Sequence, residues 1–417
     1  MDTKKAGAPH LTARYGTLHG CYWAVTCCMF SFAAAFLMAK GYTASQAGVL
    51  LALSTLASCL LQPSVAALAD RSERLSLRML MVCLLGVSFL CLAALWLVPM
   101  SPIVYAGLYL VGALLLDLSL PLLNALSVYY TDRGMPINFG LGRGVGSLTY
   151  ALASVMLGWV LKRWGPDAML GTTLGVYLLL VLLVLCFPRI PSLRQGTSEP
   201  ATFGPDTGVM PDEAPSMQQE RPCTLPQFFA RYRWFSVSLV GVLLMAAFHA
   251  MAENYLIVVL ERVGGDSVDL GLALAIATVA EAPVILLFSR FQGRAKTGVW
   301  LLIAAASFLA KAVLLALAHS VPTILLNQLW QPLSYGLYIP AGVLYAREKI
   351  PSADMVKGQA MLTSFYALGC SLGNFTGGRL IDSYSVSAML WCGVCFAAGA
   401  VVILVISINK QERNVTT

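Results

Sequence analysis

The sequence has few charged residues for its length. Only 11% of its 417 residues are Asp, Glu, Lys or Arg, and 58% are hydrophobic, whereas a soluble domain carries about 25% charged residues. A chain this long with so little charge has too little polar surface to face water on every side. Its composition therefore excludes an ordinary soluble globular protein.

The sequence also lacks the motifs of several other classes. It has no P-loop, no cluster of metal ligands and no nucleophile motif, so neither an ATP-driven pump nor an enzyme is indicated, and no cofactor is predicted. All eleven cysteines except Cys223 lie in apolar segments, at spacings that fit neither a disulfide framework nor a zinc site. The net charge of +7 arises from basic residues in short loops, which argues against nucleic acid as a partner.

Apolar runs of about 20 residues follow one another along the chain, each long enough to cross a hydrocarbon core of about 30 Å. Continuous apolar blocks differ from the alternating pattern of barrel strands, and backbone groups in lipid must pair within their own segment, so the runs should be helices. We predict an all-α membrane protein with twelve transmembrane helices at 14–38, 44–68, 77–98, 103–130, 138–162, 167–187, 234–260, 267–291, 298–318, 322–346, 355–381 and 386–408.

One break in composition divides these spans six and six. Residues 188–230 are rich in proline, with glycine, serine and acidic residues, which predicts a flexible linker. We therefore expect a six-helix bundle over 1–187, a cytoplasmic linker over 188–230, a second six-helix bundle over 231–410 and a cytoplasmic tail over 411–417. A monomer in the lipid bilayer is expected.

The 27 lysines and arginines are distributed unevenly between the two sides of the predicted bundle. On the side of the N-terminus lie 20, on the other side five, and two, Arg143 and Lys311, fall within spans. Because lysine and arginine are enriched in cytoplasmic loops, we expect both termini in the cytoplasm of a cell-membrane protein. A missed span would scramble this asymmetry, which therefore supports an even number of spans.

The two halves contain similar segments. GVLLALSTLAS at 48–58 in the second span matches GLALAIATVAE at 271–281 in the eighth, and GRGVGSLTYAL at 142–152 in the fifth matches GQAMLTSFYAL at 358–368 in the eleventh. Both matches fall at corresponding places in a six-plus-six arrangement. Parallel repeats of this kind are typical of transporters built from two related bundles.

The loop after the second span reads ALADRSER from Ala67 to Arg74. It resembles the signature between the second and third helices of the major facilitator superfamily, with Ala66 near the expected glycine. The resemblance implies that Asp70 is a gating residue, accompanied by Arg71 and Arg74, since a helix N-terminus stabilises an aspartate. The alternative is a loop whose charges merely face water.

Six ionisable residues lie inside the predicted spans: Asp117, Arg143, His249, Glu253, Glu281 and Lys311. A charge at the bilayer centre costs about 2.5–3.5 kcal/mol on insertion scales, so these side chains are expected to face a central cavity and to pair with one another. We expect Glu281 to pair with Lys311. For Glu253 and Asp117 the alternative is a position near an interface, from which the carboxylate reaches water.

A narrower resemblance covers nearly the whole chain. The segment from Asn138 to Ser147 resembles the stretch that holds the sugar-binding arginine of the lactose permease group, here Arg143. Lys311 aligns with that group's second cavity arginine, and Glu281-Ala282-Pro283 resembles the Glu-x-Pro of the related phenylpropionate permease branch. The resemblance implies the major facilitator fold, substrate binding by Arg143, and proton-coupled transport.

The sequence departs from that group at three aligned positions. Asn124 stands where the group has the glutamate that pairs with its arginine, and Tyr335 and Tyr338 replace its histidine and glutamate of proton coupling. Recognition of a lactose-type sugar is therefore not implied, and Glu281 becomes the leading candidate for the coupled acid.

The function that follows is secondary transport of a small organic solute, a sugar, a nucleoside or an aromatic acid, by symport with protons. The alternatives are a proton-coupled exporter of drugs or metabolites and, less favoured, a membrane receptor on the same scaffold. Aromatic candidates for the cavity can instead belong to an interfacial belt. The predicted substrate-binding residues are Arg143, Asn124, Trp23, Tyr335, Tyr338 and Lys311, and the predicted proton-coupling residues are Glu281, Lys311 and Glu253.

Overall fold

The computed structural model describes residues 8–71, 76–188 and 224–416. These residues are almost entirely helical, and no β-strand occurs among them. The helices are α1 (Ala8–Thr26), α2 (Ala33–Ala39), α3 (Ala44–Arg71), α4 (Leu77–Leu97), α5 (Pro102–Thr131), α6 (Phe139–Leu185), α7 (Leu225–Arg231), α8 (Arg233–Asn254), α9 (Leu256–Glu261), α10 (Ser267–Phe291), α11 (Thr297–Ala316), α12 (Val321–Asn327), α13 (Leu337–Lys349), α14 (Met355–Ser383) and α15 (Val386–Thr416).

The helices agree with twelve spans once the breaks are considered. Eight helices in the described part of the chain are long and apolar enough to cross a membrane, and α1 with α2 forms a ninth span bent by 56°. Helix α6, with 47 residues, is far longer than the roughly 20 residues that one crossing requires, and it contains two spans. The tenth span is interrupted between α12 and α13, and the eleventh, α14, carries many polar residues. The predicted fold class is thus confirmed.

The turn inside α6 depends on a single glycine. Gly165 has φ of 82° and is followed by Pro166. A residue with a Cβ is strained at this φ, and proline favours the start of a new helix. The chain therefore reverses here, between the predicted spans 138–162 and 167–187.

The predicted linker is shorter than expected at its C-terminal end. Leu225–Arg231 is helical, with Thr224 and Gln227 forming a capping box, and Phe228 is buried against the rings of Tyr232 and Phe235. A capping box satisfies two free N–H groups, and the aromatic contacts attach the helix to the second bundle. Residues 189–223 lie outside the described residues. Helix α15 continues into the predicted tail, as far as Thr416.

The chain forms two helical bundles. In the first, α6 packs along α1 and α4, and α5 lies against α3 and α4. In the second, α8 lies between α14 and α15, and α11 packs on α13 and α15. The bundles meet mainly through α3 with α14 and α6 with α10.

One of these contacts joins the two bundles at the end of the molecule where α3 begins and α14 ends. The Asp382 carboxylate accepts hydrogen bonds from the backbone N–H groups of Ala44 (3.2 Å) and Ser45 (2.7 Å). It thereby satisfies free N–H groups at the start of α3. Gly378 lies against the carbonyl of Ala44, so closely that a side chain would not fit.

The second contact, between α6 and α10, lies at the same end and also joins one helix of each bundle. The hydroxyls of Ser154 and Ser267 donate to the carbonyls of Gly271 (2.9 Å) and Gly158 (2.8 Å) across α6 and α10. Lys162 pairs with the α10 cap residue Asp266 at 2.5 Å. We call the end formed by these two contacts the closed end. The matched sequence segments of spans two and eight, and of spans five and eleven, both lie on the helices that make them.

Candidate functional site

A cavity of about 400 Å³ lies between the two bundles. This volume suits a small organic ligand. Both bundles line it. The first contributes Trp23, Thr26, Phe30, Ser31, Thr55, Asp117, Arg143, Ser147 and Tyr150, and the second contributes His249, Ala250, Glu253, Asn254, Leu274, Ala277, Thr278, Glu281, Gln331, Tyr335, Tyr366, Cys370 and Asn374. The polar lining, inside an otherwise apolar protein, makes this cavity the candidate site.

Breaks in three spans bring polar groups to the cavity. The first span has a π-helical turn at Cys27–Ser31, the seventh is interrupted at Tyr255, and the tenth passes through a 3-10 turn and a π-helical turn at Pro332–Gly336. π-Helical turns inside helices are rare and frequently mark functional sites. Ser31 and Tyr335 reach the cavity from such turns.

Arg143 supplies positive charge to the first bundle's wall. Its guanidinium lies 4.1 Å from the centre of the Trp23 ring and donates a hydrogen bond to Ser147 Oγ at 3.1 Å. Among the described residues, no carboxylate lies within ion-pair distance of it. Contact with an aromatic face stabilises a cation while leaving its other N–H groups available. Arg143 is therefore free to bind an acceptor group inside the cavity.

Lys311 forms an ion pair in the second bundle. Its ammonium lies 3.1 Å from Glu253 Oε1 and 2.5 Å from Gln331 Oε1. The Lys311 side chain is only 1% exposed, and that of Glu253 is 19% exposed. A buried charge needs such partners. Glu253 and Gln331 line the cavity, whereas Lys311 lies behind them.

The predicted ion pair of Glu281 with Lys311 is not the one formed in this conformation. Lys311 is paired with Glu253, because Glu253 on α8 lies against α11 at the level of the lysine. Glu281 lines the cavity from α10, and its Cβ packs beside Gly336. The side chain of Gln331 is close to both Glu281 and Lys311. Gln331 thus connects the free acid to the ion pair.

Aromatic rings cover one side of the cavity in the second bundle. The imidazole of His249 stacks on Tyr335 with ring centres 4.6 Å apart and an angle of 12°. Tyr366 lies next to Tyr335 and stacks in turn on Tyr338. Flat, partly polar rings of this kind suit a solute with a planar ring.

Several predicted site residues lie elsewhere. Tyr338 is buried behind Tyr366 and does not line the cavity. Asn124 also lies outside the lining, in the interior of the first bundle, with its side-chain oxygen buried. Asn124 follows Asp117 by about two turns on the same face of α5, so its position along the helix rather than its face separates it from the cavity. The side chains of Asp70 and Arg71, and all of Arg74, lie outside the described residues, so the gating role stays a prediction.

Sequence reasoning missed the neutral amides of the site. Gln331, Asn254 and Asn374 line the cavity, and Asn254 donates to Asn374 at 2.6 Å. Each lies within a run that is otherwise largely apolar, which is a signal that a search limited to charged residues overlooks. In the part of the chain that the structure describes, no group of three or more potential metal ligands occurs.

Comparisons with known proteins agree on the architecture. A family model described as the MFS_1 like family matches residues 15–391. A search of curated proteins finds no match to the chain. Among solved structures, the nucleoside transporter NupG superposes with a TM-score of 0.76 at 15% identity, covering 96% of this chain and 98% of that one.

Two further solved structures have a similar fold. A bacterial homologue of the human lysosomal transporter Spinster, in an inward-facing and unoccupied conformation, has a TM-score of 0.66 at 14% identity, covering 97% of this chain and 96% of its own. The POT family transporter PepTSo has a TM-score of 0.70 at 11% identity, with 97% and 99% covered. At such identities the likeness concerns the fold alone.

Proposed function

Because this chain belongs to the MFS_1 like family of membrane transporters, we propose that it carries a small polar organic solute across the cell membrane together with protons. The solute class is a sugar, a nucleoside or an aromatic acid. The observation that supports this most directly is a cavity between the two bundles that contains Arg143 and Glu281, neither of which has an ion-pair partner among the described residues.

Arg143 binds the solute in this proposal. Its planar guanidinium presents several N–H donors in a fixed geometry, which suits a carboxylate or a pair of hydroxyl oxygens. Trp23 beneath it and Tyr335 across the cavity provide flat surfaces for a ring. This combination favours a solute with both a planar or pyranose-like ring and a hydrogen-bond acceptor.

Glu281 carries the coupled proton. When it is ionised, its charge requires compensation from Arg143 or from the Lys311 pair through Gln331. When it is protonated, that demand disappears, and Arg143 becomes available to the solute. Proton binding and solute binding then favour the same conformation, which couples one flux to the other.

The test is transport in proteoliposomes with a panel of sugars, nucleosides and aromatic acids. Wild-type protein should accumulate one solute when the outside is acidic. Glu281→Gln resembles the protonated acid, so this variant should still exchange solute across the membrane but lose accumulation driven by the pH gradient. Glu261→Gln is the matched control, since Glu261 is exposed and lies outside the central cavity.

Two results would contradict the proposal. If Glu281→Gln accumulated solute at the wild-type level, Glu281 would not be the residue that carries the coupled proton. If the wild-type protein moved solute outward while protons moved inward, it would be an exporter that works by antiport.

A further inference from the structure

The central cavity has a second acid without a basic partner, on the opposite bundle from Glu281. Asp117 of α5 lines the cavity, and its Oδ2 accepts a hydrogen bond from Ser58 Oγ of α3. Gln62, one turn further along α3, donates to the same serine at 3.3 Å. Within the described residues, no lysine, arginine or histidine nitrogen lies within ion-pair distance of Asp117.

Among the described residues, no basic side chain of the neighbouring helices α1, α3 and α4 pairs with Asp117. Tyr22 faces it from α1, and its phenol already donates to the carbonyl of Leu116 at 3.2 Å. Helix α4 contributes the neutral Cys91, near Gly112 of α5. The other titratable or charged groups that line the cavity with Asp117 are Arg143, Tyr150, His249, Glu253, Glu281, Tyr335, Tyr366 and Cys370.

Ionisation of Asp117 would therefore leave a poorly compensated charge inside the membrane-spanning part of the protein, which is unfavourable. A neutral carboxylic acid avoids this cost. One of its oxygens accepts from Ser58, and the proton on the other is directed to water or solute in the cavity.

A metal ion fits this pocket less well than a proton. Among the described residues, the Ser58 hydroxyl is the only side-chain oxygen hydrogen-bonded to the Asp117 carboxylate. A proton needs one lone pair, whereas hard cations such as Ca²⁺ take six to eight oxygens.

We propose that Asp117 is a second proton-binding site of the central cavity, so that each bundle carries one exchangeable proton. The inference builds on the proposed coupling at Glu281 and adds a proton to the opposite wall. A hydronium ion in the open cavity transfers a proton to the Asp117 carboxylate: one O–H bond of hydronium breaks, one O–H bond forms on the carboxylate, and a water remains. Exposure of the cavity to the other side returns that proton to water there.

The experiment is infrared difference spectroscopy of the purified protein in nanodiscs, without solute, between alkaline and acidic pH. The carbonyl stretch of protonated carboxylic acids reports each acid directly. Wild-type protein should show two cavity contributions. Asp117→Asn should lose one of them and Glu281→Gln the other, while Asp132→Asn, an exposed aspartate at the end of the same α5, should retain both.

Ser58→Ala supplies an independent measurement if Asp117→Asn folds poorly. It retains the carboxyl but removes its hydrogen bond, so the Asp117 band should shift in frequency rather than disappear. A spectrum of Asp117→Asn identical to wild type, or an unshifted band in Ser58→Ala, would overturn the inference. Loss of the band when Na⁺ replaces choline at constant ionic strength would also overturn it, since a metal ion would then occupy the site.

The same spectra separate this inference from the proposed function. Absence of a Glu281 contribution, with the Asp117 contribution present, would contradict coupling at Glu281 and leave the second site intact. Absence of only the Asp117 contribution would contradict the second proton site and leave coupling at Glu281 intact.

Discussion

At the scale of single residues, the site is defined by which charges are paired and which are free. Lys311 is buried and has two partners, whereas Arg143, Asp117 and Glu281 line the cavity with no ion-pair partner among the described residues. A paired charge contributes to a stable wall, and an unpaired one is available to a ligand or a proton. This difference leads to two predictions.

Removal of Lys311 should destabilise the protein. Lys311→Met leaves Glu253 as an uncompensated buried carboxylate, and breaking a buried pair in this way costs about 3–5 kcal/mol. Thermal unfolding in detergent measures the loss. Lys311→Met combined with Glu253→Gln should recover much of it, because no buried charge remains.

Lys296→Met is the control, since Lys296 pairs with Glu412 at the surface with 72% of its side chain exposed. Exposed pairs contribute little to stability, so this variant should unfold near the wild-type temperature. If Lys311→Met did the same, the ion pair would have no structural role.

Substitution of Arg143 by lysine should abolish solute binding although the charge is retained. Lysine lacks the planar fork that binds two acceptors at once, and its ammonium does not reproduce the contact with Trp23. Binding of the transported solute by calorimetry measures the effect, and Arg163→Lys, an exposed arginine, is the matched control. Affinity near the wild-type value in Arg143→Lys would argue against direct contact with the solute.

At the scale of helices, glycines decide where the two bundles meet. Gly158 and Gly271 let α6 and α10 approach until their backbones touch, and Gly48 and Gly378 do the same for α3 and α14. Small residues are favoured where helices in membranes pack closely. The closed end therefore depends on the absence of side chains at a few positions.

Gly271→Leu should open the closed end. A side chain at this position collides with the backbone of Ser154, so conformations with the bundles apart are favoured. Cys370 lines the cavity, and its alkylation by an impermeant reagent added at the closed end should increase, in a background without other accessible thiols. Gly175→Leu, where nothing lies within 4 Å of the added Cβ, should label like the unmodified background. Equal labelling of Cys370 in both variants would show that this contact does not limit access.

At the scale of the whole molecule, the two bundles enclose the cavity and the orientation in the membrane decides which compartment it serves. The excess of lysine and arginine predicts that both termini and the linker are cytoplasmic. This orientation is a prediction.

Two single cysteines test the orientation. Pro200→Cys in the linker and Arg163→Cys, exposed near the turn at Gly165, should react with an impermeant reagent from opposite sides of sealed cells or vesicles. The background lacks other accessible thiols. Labelling of both positions from the outside would contradict the predicted topology.

The sequence by itself determined the membrane location, the twelve spans and the six-plus-six division, because hydropathy, span length and the polar linker are local properties of the chain. It also identified Arg143, Glu281, Glu253 and Lys311 as ionisable residues inside spans, because a charged residue within an apolar run is evident from the sequence alone. Only the tertiary structure decided that Lys311 pairs with Glu253, that Asn124 and Tyr338 lie outside the cavity, and that Gln331 connects the acids. Those facts depend on how each helix is rotated and where it is broken, and these are set by packing between bundles rather than by the local sequence.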